Sequence, residues 1–164
     1  MTRTRTVKAS DMSIEHYERA IHRFCEAQGL EDPHQLMQGG LLSIDGYPLR
    51  IEFIEAIDRC RITIDLGRPP ASVELACGRL LLQFNHQADG LRRPVMSLRP
   101  QTGHIRLCLH LEASELVDAE VLGEVIEGQL GGIIDAWEDA LSELLERPSA
   151  VSDAAAQFPM LAQH

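Results

Sequence analysis

The sequence is poor in basic residues and has no long apolar run. Its formal net charge is −10, from 25 acidic residues against 15 basic ones, and Lys8 is the only lysine. Nucleic-acid binders neutralise phosphates with basic side chains, so this balance argues against a nucleic-acid partner. No stretch approaches the ~20 apolar residues of a membrane span, and the N-terminal residues lack the apolar core of a signal peptide. We expect a cytoplasmic protein that does not insert into membranes.

Motifs of catalysis and metal binding are also missing. The cysteines are isolated, without CxxC pairs or ligand spacing, which is typical of reduced core residues. They are Cys25, Cys60, Cys77 and Cys108. Cys108 with His104 or His110 is a candidate nucleophilic group, but nothing marks a base, an orienting group or an oxyanion hole, and the same residues resemble a metal site only loosely. We expect no catalytic residue, no metal and no cofactor, and a small enzyme is the least favoured interpretation.

What is present predicts one folded domain with loose ends. The chain has 164 residues, of which 45% are hydrophobic and 24% charged, enough to bury a core and too apolar for a disordered protein. Residues 1–12 are polar and basic, and residues 148–164 are rich in small residues. We expect flexible tails over these two ranges and a folded domain over 13–147.

The first half of the domain reads as a helix followed by three strands. Apolar residues at three-and-four spacing predict a helix with Ser13 as its N-cap and Gly29 at its end. Asp45-Gly46 separates two apolar runs and is a strong hairpin signal. The next run, RCRITIDLG, alternates apolar and polar residues like a third strand.

The second half reads as a helix, a hairpin and a final helix. SVELACGRLLLQFN is apolar nearly all round, so its surplus apolar residues suggest a subunit interface, although a core helix in a monomer fits the pattern equally well. VMSL and HIRLCLHLE form a hairpin around Gly103, and 118–146 has helical periodicity interrupted by glycines. The order α-βββ-α-ββ-α predicts an α+β fold with a twisted antiparallel sheet of about five strands and three helices.

Apolar residues beyond the needs of a small core suggest binding. They lie on the first helix and on the first strands, where a groove would accept an extended or helical peptide. Ordinary core packing explains the same residues.

This order of elements, the acidity and several local patterns resemble the class I type III secretion chaperones, the Tir-chaperone or CesT-like family. The resemblance covers about 13–147. Its segments are the first helix with Phe24 and Cys25, the hairpin LLSIDGYPLRIEF, the helix LACGRLLLQFN, the strand GHIRLCLHL, and the last helix with Trp137.

The resemblance implies a bacterial homodimer that holds the N-terminal segment of a secreted effector in an export-competent form, with the secretion ATPase as a further partner. The implied dimer interface consists of Leu80, Leu81, Phe84, Met96 and Leu98. The implied client-binding residues are Ile14, Tyr17, Ile21, Leu42, Ile44 and Ile54. A protein-interaction or regulatory domain outside secretion, with the same fold, is the alternative.

Overall fold

The computed structural model describes residues 9–88 and 92–146 of the chain. Its helices are α1 (Ala9–Gln28), α2 (Pro33–Met37), α3 (Glu74–Gln87), α4 (Val121–Gly123) and α5 (Gly131–Glu146), and a π-helical segment, Glu124–Leu130, joins α4 to α5. Its strands are β1 (Leu41–Ile44), β2 (Tyr47–Ile54), β3 (Arg59–Asp65), β4 (Val95–Leu98) and β5 (Ile105–Glu112). The predicted tails, apart from residues 9–12, lie outside the described residues.

The strands form one antiparallel sheet in the order β1-β2-β3-β5-β4. Asp45 and Gly46 make the two-residue turn between β1 and β2, with φ angles of 49° and 85°. Two positive φ angles define the turn type that best fits a tight hairpin, and aspartate and glycine reach this region more easily than other residues. The predicted hairpin and the α+β sheet of about five strands are confirmed.

The sheet has one covered face and one open face. On β5, Ile105 and the leucines are buried, whereas Cys108 and His110 lie on the opposite side. The alternation in β3 is the same, with Ile62 and Ile64 buried. Helices pack on the apolar face, and the part of the chain that the structure describes leaves the polar face open.

Aromatic side chains join the helices to the covered face. Tyr17 on α1 lies beside Phe53 of β2, with ring centroids 5.4 Å apart, and its hydroxyl donates to the Ile51 carbonyl at 3.4 Å. Trp137 on α5 is buried and meets Phe84 of α3 edge-on at 6.1 Å. A single apolar core therefore connects α1, the sheet, α3 and α5.

Helix α1 begins earlier than the sequence pattern indicates. It starts at Ala9, so residues 9–12 belong to a helix and not to the predicted tail. Ser13 is therefore inside the helix instead of capping it. Its hydroxyl donates to the Asp58 carboxylate at 3.1 Å, a partner that is distant in sequence.

Two other helical predictions are corrected. A short helix, α2, follows α1 and is capped by Asp32, whose carboxylate accepts from the Gln35 N–H at 3.0 Å. The predicted C-terminal helix is not continuous, because the π-helical segment interrupts it. Gly128 lies in this segment. Glycine has a low α-helical propensity, so the change from α-helix to π-helix costs little at this position.

Candidate docking surfaces

An uncovered apolar patch lies where α3 meets β4. Leu75 and Leu82 on α3 are 78% and 71% exposed, and Leu98 on β4 is 45% exposed. These leucines border a depression of about 440 Å³. Gly78 is on the same helix face, and a Cβ added there would meet nothing within 4 Å, so another chain can approach closely. We call Leu75, Gly78, Leu82 and Leu98 the α3–β4 patch.

Asn85 of α3 closes part of the outer edge of β4. Its Oδ1 accepts from the Met96 N–H at 2.8 Å, and its Nδ2 donates to the Met96 carbonyl at 2.9 Å. Ile105 bonds through its backbone to the segment that follows β3. Leu98, which lies opposite Ile105, therefore directs its N–H and carbonyl away from β5. These two groups lie on the sheet edge next to the α3–β4 patch.

The residues implied as a dimer interface differ in exposure. Leu81 and Met96 are only 7% and 4% exposed and belong to the core of their own chain. Leu80 and Phe84 are partly buried against that core, and Leu98 is exposed. The exposed large hydrophobic side chains of α3 are Leu75 and Leu82, which belong to the α3–β4 patch and which the implied interface does not include.

A second depression, lined by both apolar and polar side chains, borders the edge of β1. It encloses about 460 Å³ between the end of α1, α2 and β1. Leu41 and Leu30 line it and are 63% and 36% exposed. Ile44 pairs with Tyr47 across the tight turn, so the backbone groups of Leu41 and Ser43 point outward by alternation. We call this depression and the outward backbone of β1 the β1 groove; it is suited to an added peptide strand.

The residues implied as client contacts do not form one exposed surface. Tyr17 and Ile21 are 4% and 0% exposed, because α1 turns them toward the sheet. This burial removes both from the candidate surface. Four others are partly exposed, namely Ile14, Leu42, Ile44 and Ile54. Of these four, Leu42 lines the depression of the β1 groove.

The histidines and cysteine considered for catalysis lie on the open face of the sheet but have separate environments. Nδ1 of His104 is 2.9 Å from the Asp65 carboxylate. Burial raises the pKa of the Cys108 thiol, and burial together with Arg61 lowers the pKa of His110. A thiol with a raised pKa is a poor nucleophile at neutral pH, so this arrangement does not support nucleophilic catalysis.

Asp65 is held as a carboxylate at the end of β3. Burial by itself would raise its pKa. The Gly67 N–H, which donates to Oδ1 at 2.9 Å, together with His104 and Arg99, outweighs this effect and lowers the pKa of Asp65. The ionised form is therefore favoured in the folded protein.

Within 9–88 and 92–146, no three histidine, cysteine, aspartate or glutamate side chains are placed to hold a metal ion. The helices described there include none with the length and hydropathy of a membrane span.

Comparison with known proteins identifies the fold. No sequence-family description matches the chain, and no curated protein sequence matches it. Several solved structures are similar to this chain. A chain of the HopA1–SchA chaperone–effector complex superposes with a TM-score of 0.58 at 18% identity, over 79% of this chain and 98% of that one.

Two further complexes contain similar chains. One is the ExoT–SpcS complex of Pseudomonas aeruginosa, with a TM-score of 0.51 and 16% identity over 73% of this chain and 96% of that one. The other is the ExsC–ExsE complex, with a TM-score of 0.55 and 15% identity over 83% and 96%. The fold of this chain is therefore that of the class I type III secretion chaperones, as the sequence resemblance predicts.

Proposed function

We propose that this chain is a type III secretion chaperone that binds the N-terminal segment of an effector and keeps it soluble and export-competent. The observation that carries the proposal is the fold, which is shared over nearly the full length of a chain from the HopA1–SchA chaperone–effector complex and of chains from the ExoT–SpcS and ExsC–ExsE complexes. Two uncovered apolar surfaces on opposite sheet edges support a binding role. The chaperone acts in the bacterial cytoplasm, without a catalytic step.

The β1 groove is the proposed client site. An extended client segment adds to the edge of β1 through backbone hydrogen bonds and inserts an apolar side chain beside Leu30 and Leu41. Both leucines are already exposed, so binding needs no unfolding of the core. Leu42, which lines the same depression, and Ile44, on the same strand, are proposed as further contacts. Ile14 and Ile54 are proposed as separate contacts outside the groove.

The α3–β4 patch is the proposed homodimer interface. A two-fold axis brings the same surface of two copies together, so each exposed leucine is buried in both copies and counts twice per dimer. The outward N–H and carbonyl of Leu98 give the interface a polar component that a second copy satisfies. Leu80 and Phe84 support this surface from beneath, since they pack against the core.

Affinity purification of the tagged chain from its native host tests the function. We expect a secreted protein as the stoichiometric partner, protected from limited proteolysis near its N-terminus, with two copies of this chain per client. Subsequent transfer to the secretion ATPase follows from the same proposal. Recovery of cytoplasmic regulators alone would favour an interaction domain outside secretion.

Point variants test the client site. Leu41→Asp puts a charge on an exposed position of the β1 groove and should weaken client binding at least about tenfold, because burying an unpaired carboxylate costs several kcal/mol. Ile57→Asp is the control, since Ile57 is 53% exposed and does not line the groove. Isothermal calorimetry with the protected client segment measures both. Equal affinities of the two variants would exclude the β1 groove as the client site.

A further inference from the structure

The open face of the sheet is rich in arginine although the chain is acidic. Strand register and the β4–β5 turn bring five arginines to this face: Arg50, Arg59, Arg61, Arg99 and Arg106. Three carboxylates lie on it as well: Glu52, Asp65 and Glu112. The face therefore carries a net positive charge on a protein whose formal net charge is −10.

The carboxylates on this face do not satisfy all of its guanidinium groups. Glu52 is shared between Arg61, at 2.9 Å, and Arg50, at 3.8 Å. Glu112 pairs with Arg59 at 2.5 Å. These contacts use two of the three carboxylates, Glu52 of β2 and Glu112 of β5. Asp65 of β3 is the third.

Arg99 and Arg106 lie near Asp65 without bonding to it: Arg106 is the register partner of Asp65 on β5, and the charge of Arg99 helps to lower the pKa of Asp65. The nearest acid on this face, Asp65, bonds to His104 instead. Within the described part of the chain, neither arginine forms an ion pair at 4.0 Å or less. The Nε of Arg61 is also buried without a hydrogen-bond partner among the described residues. The guanidinium groups of Arg99 and Arg106 are exposed or partly exposed, so they are the donors that an acceptor from outside can reach.

A depression of about 400 Å³ on the open face is lined by four of these arginines. It runs across the sheet from Leu41 on β1, past Arg50 and Arg61, to Arg106 and Arg99 at the β4–β5 hairpin. Neighbouring strands are about 4.8 Å apart, so the path across five strands is about 19 Å long. An extended peptide of roughly six residues covers this distance, whereas a single small dicarboxylate does not.

We propose that this open face binds an extended acidic segment of a partner protein, with carboxylates on Arg99 and Arg106. Guanidinium groups bind carboxylates through paired, charge-assisted hydrogen bonds, which fits donors on an exposed sheet. The overall charge of −10 disfavours a densely charged polyanion such as nucleic acid more than a short peptide with a few carboxylates. The inference does not depend on whether the partner is secreted.

Fluorescence anisotropy with a labelled peptide of alternating glutamate and alanine tests the proposal. We expect salt-sensitive binding of this peptide and no binding of the same peptide with glutamine in place of glutamate. Arg99→Glu should weaken binding by about tenfold or more, because it removes a charged donor and adds repulsion. Arg106→Gln, which removes the charge without reversing it, should weaken binding by a smaller factor.

Arg19→Glu is the matched control, because it makes the same charge change at an exposed position on α1. We expect it to change the affinity less than about twofold. Equal loss in Arg19→Glu and Arg99→Glu would overturn the proposal, since binding would then follow net charge alone. Full displacement by millimolar inorganic phosphate, or tighter binding of an oligothymidylate than of the peptide, would also overturn it.

Discussion

Replacing Leu82 by aspartate should separate the proposed homodimer into folded monomers. Leu82 is 71% exposed in the single chain, so the change removes little from the core. Exposed substitutions of this kind usually alter the free energy of unfolding by less than about 0.5 kcal/mol. In the dimer, by contrast, the same position is covered by the second copy.

The size of the effect follows from this exposure. Complete burial of a leucine is worth about 1.5–3 kcal/mol, so burying the remaining seven-tenths is worth about 1–2 kcal/mol in each copy. Two-fold symmetry doubles the loss to about 2–4 kcal/mol per dimer. The dissociation constant should therefore rise roughly 30- to 1,000-fold, and desolvation of the two new carboxylates increases it further.

Sedimentation velocity over a concentration series measures the dissociation constant directly. Leu145→Asp is the control, because Leu145 is 49% exposed but lies on α5, outside the α3–β4 patch. Circular dichroism checks that both variants remain folded. An unchanged dissociation constant for Leu82→Asp, or a wild-type chain that is monomeric at all concentrations, would refute the assignment of this interface.

Asn85→Ala should lower the free energy of unfolding by about 1–3 kcal/mol in urea denaturation, since both backbone groups of Met96 lose their partner; Gln83→Ala, at an exposed position, should be nearly neutral. A loss no larger than that of the control would contradict the edge-closing role. Asp65→Asn should reduce the acid sensitivity of folding. The lowered pKa of Asp65 stabilises the fold above the unfolded-state pKa of about 3.9, and this contribution is lost as the pH falls through the folded-state pKa. Identical pH profiles of wild type and variant in thermal melts would argue against it.

Local patterns determined much of the fold. The Asp45-Gly46 turn needs positive φ at both residues, and few other residue pairs adopt this conformation easily. These two residues therefore predict the hairpin by themselves. Gly29 ends α1 with a φ of 65° for a similar reason. The alternation of apolar and polar residues in HIRLCLHLE predicts both the strand β5 and its buried face, because successive side chains of a strand point to opposite faces of the sheet.

Periodicity could not decide which apolar residues stay exposed. It identifies the apolar side of a helix, whereas burial depends on which element covers that side. Helix α3 is apolar nearly all round, and only its packing shows that Leu81 faces the core while Leu75 and Leu82 face outward. For the same reason Ile21 is part of the core and not of a client surface.

Contacts between distant residues were decided by tertiary structure alone. Ser13 meets Asp58 because a helix crosses the sheet near a turn, and no local signal marks that pair. The sheet order likewise places Arg50 and Arg106, which are far apart in sequence, on one face and along one depression. The sequence by itself determined the acidic composition, the strands and most helices. Strand order and packing decided where the exposed leucines and the arginines lie, because those positions depend on which elements become neighbours.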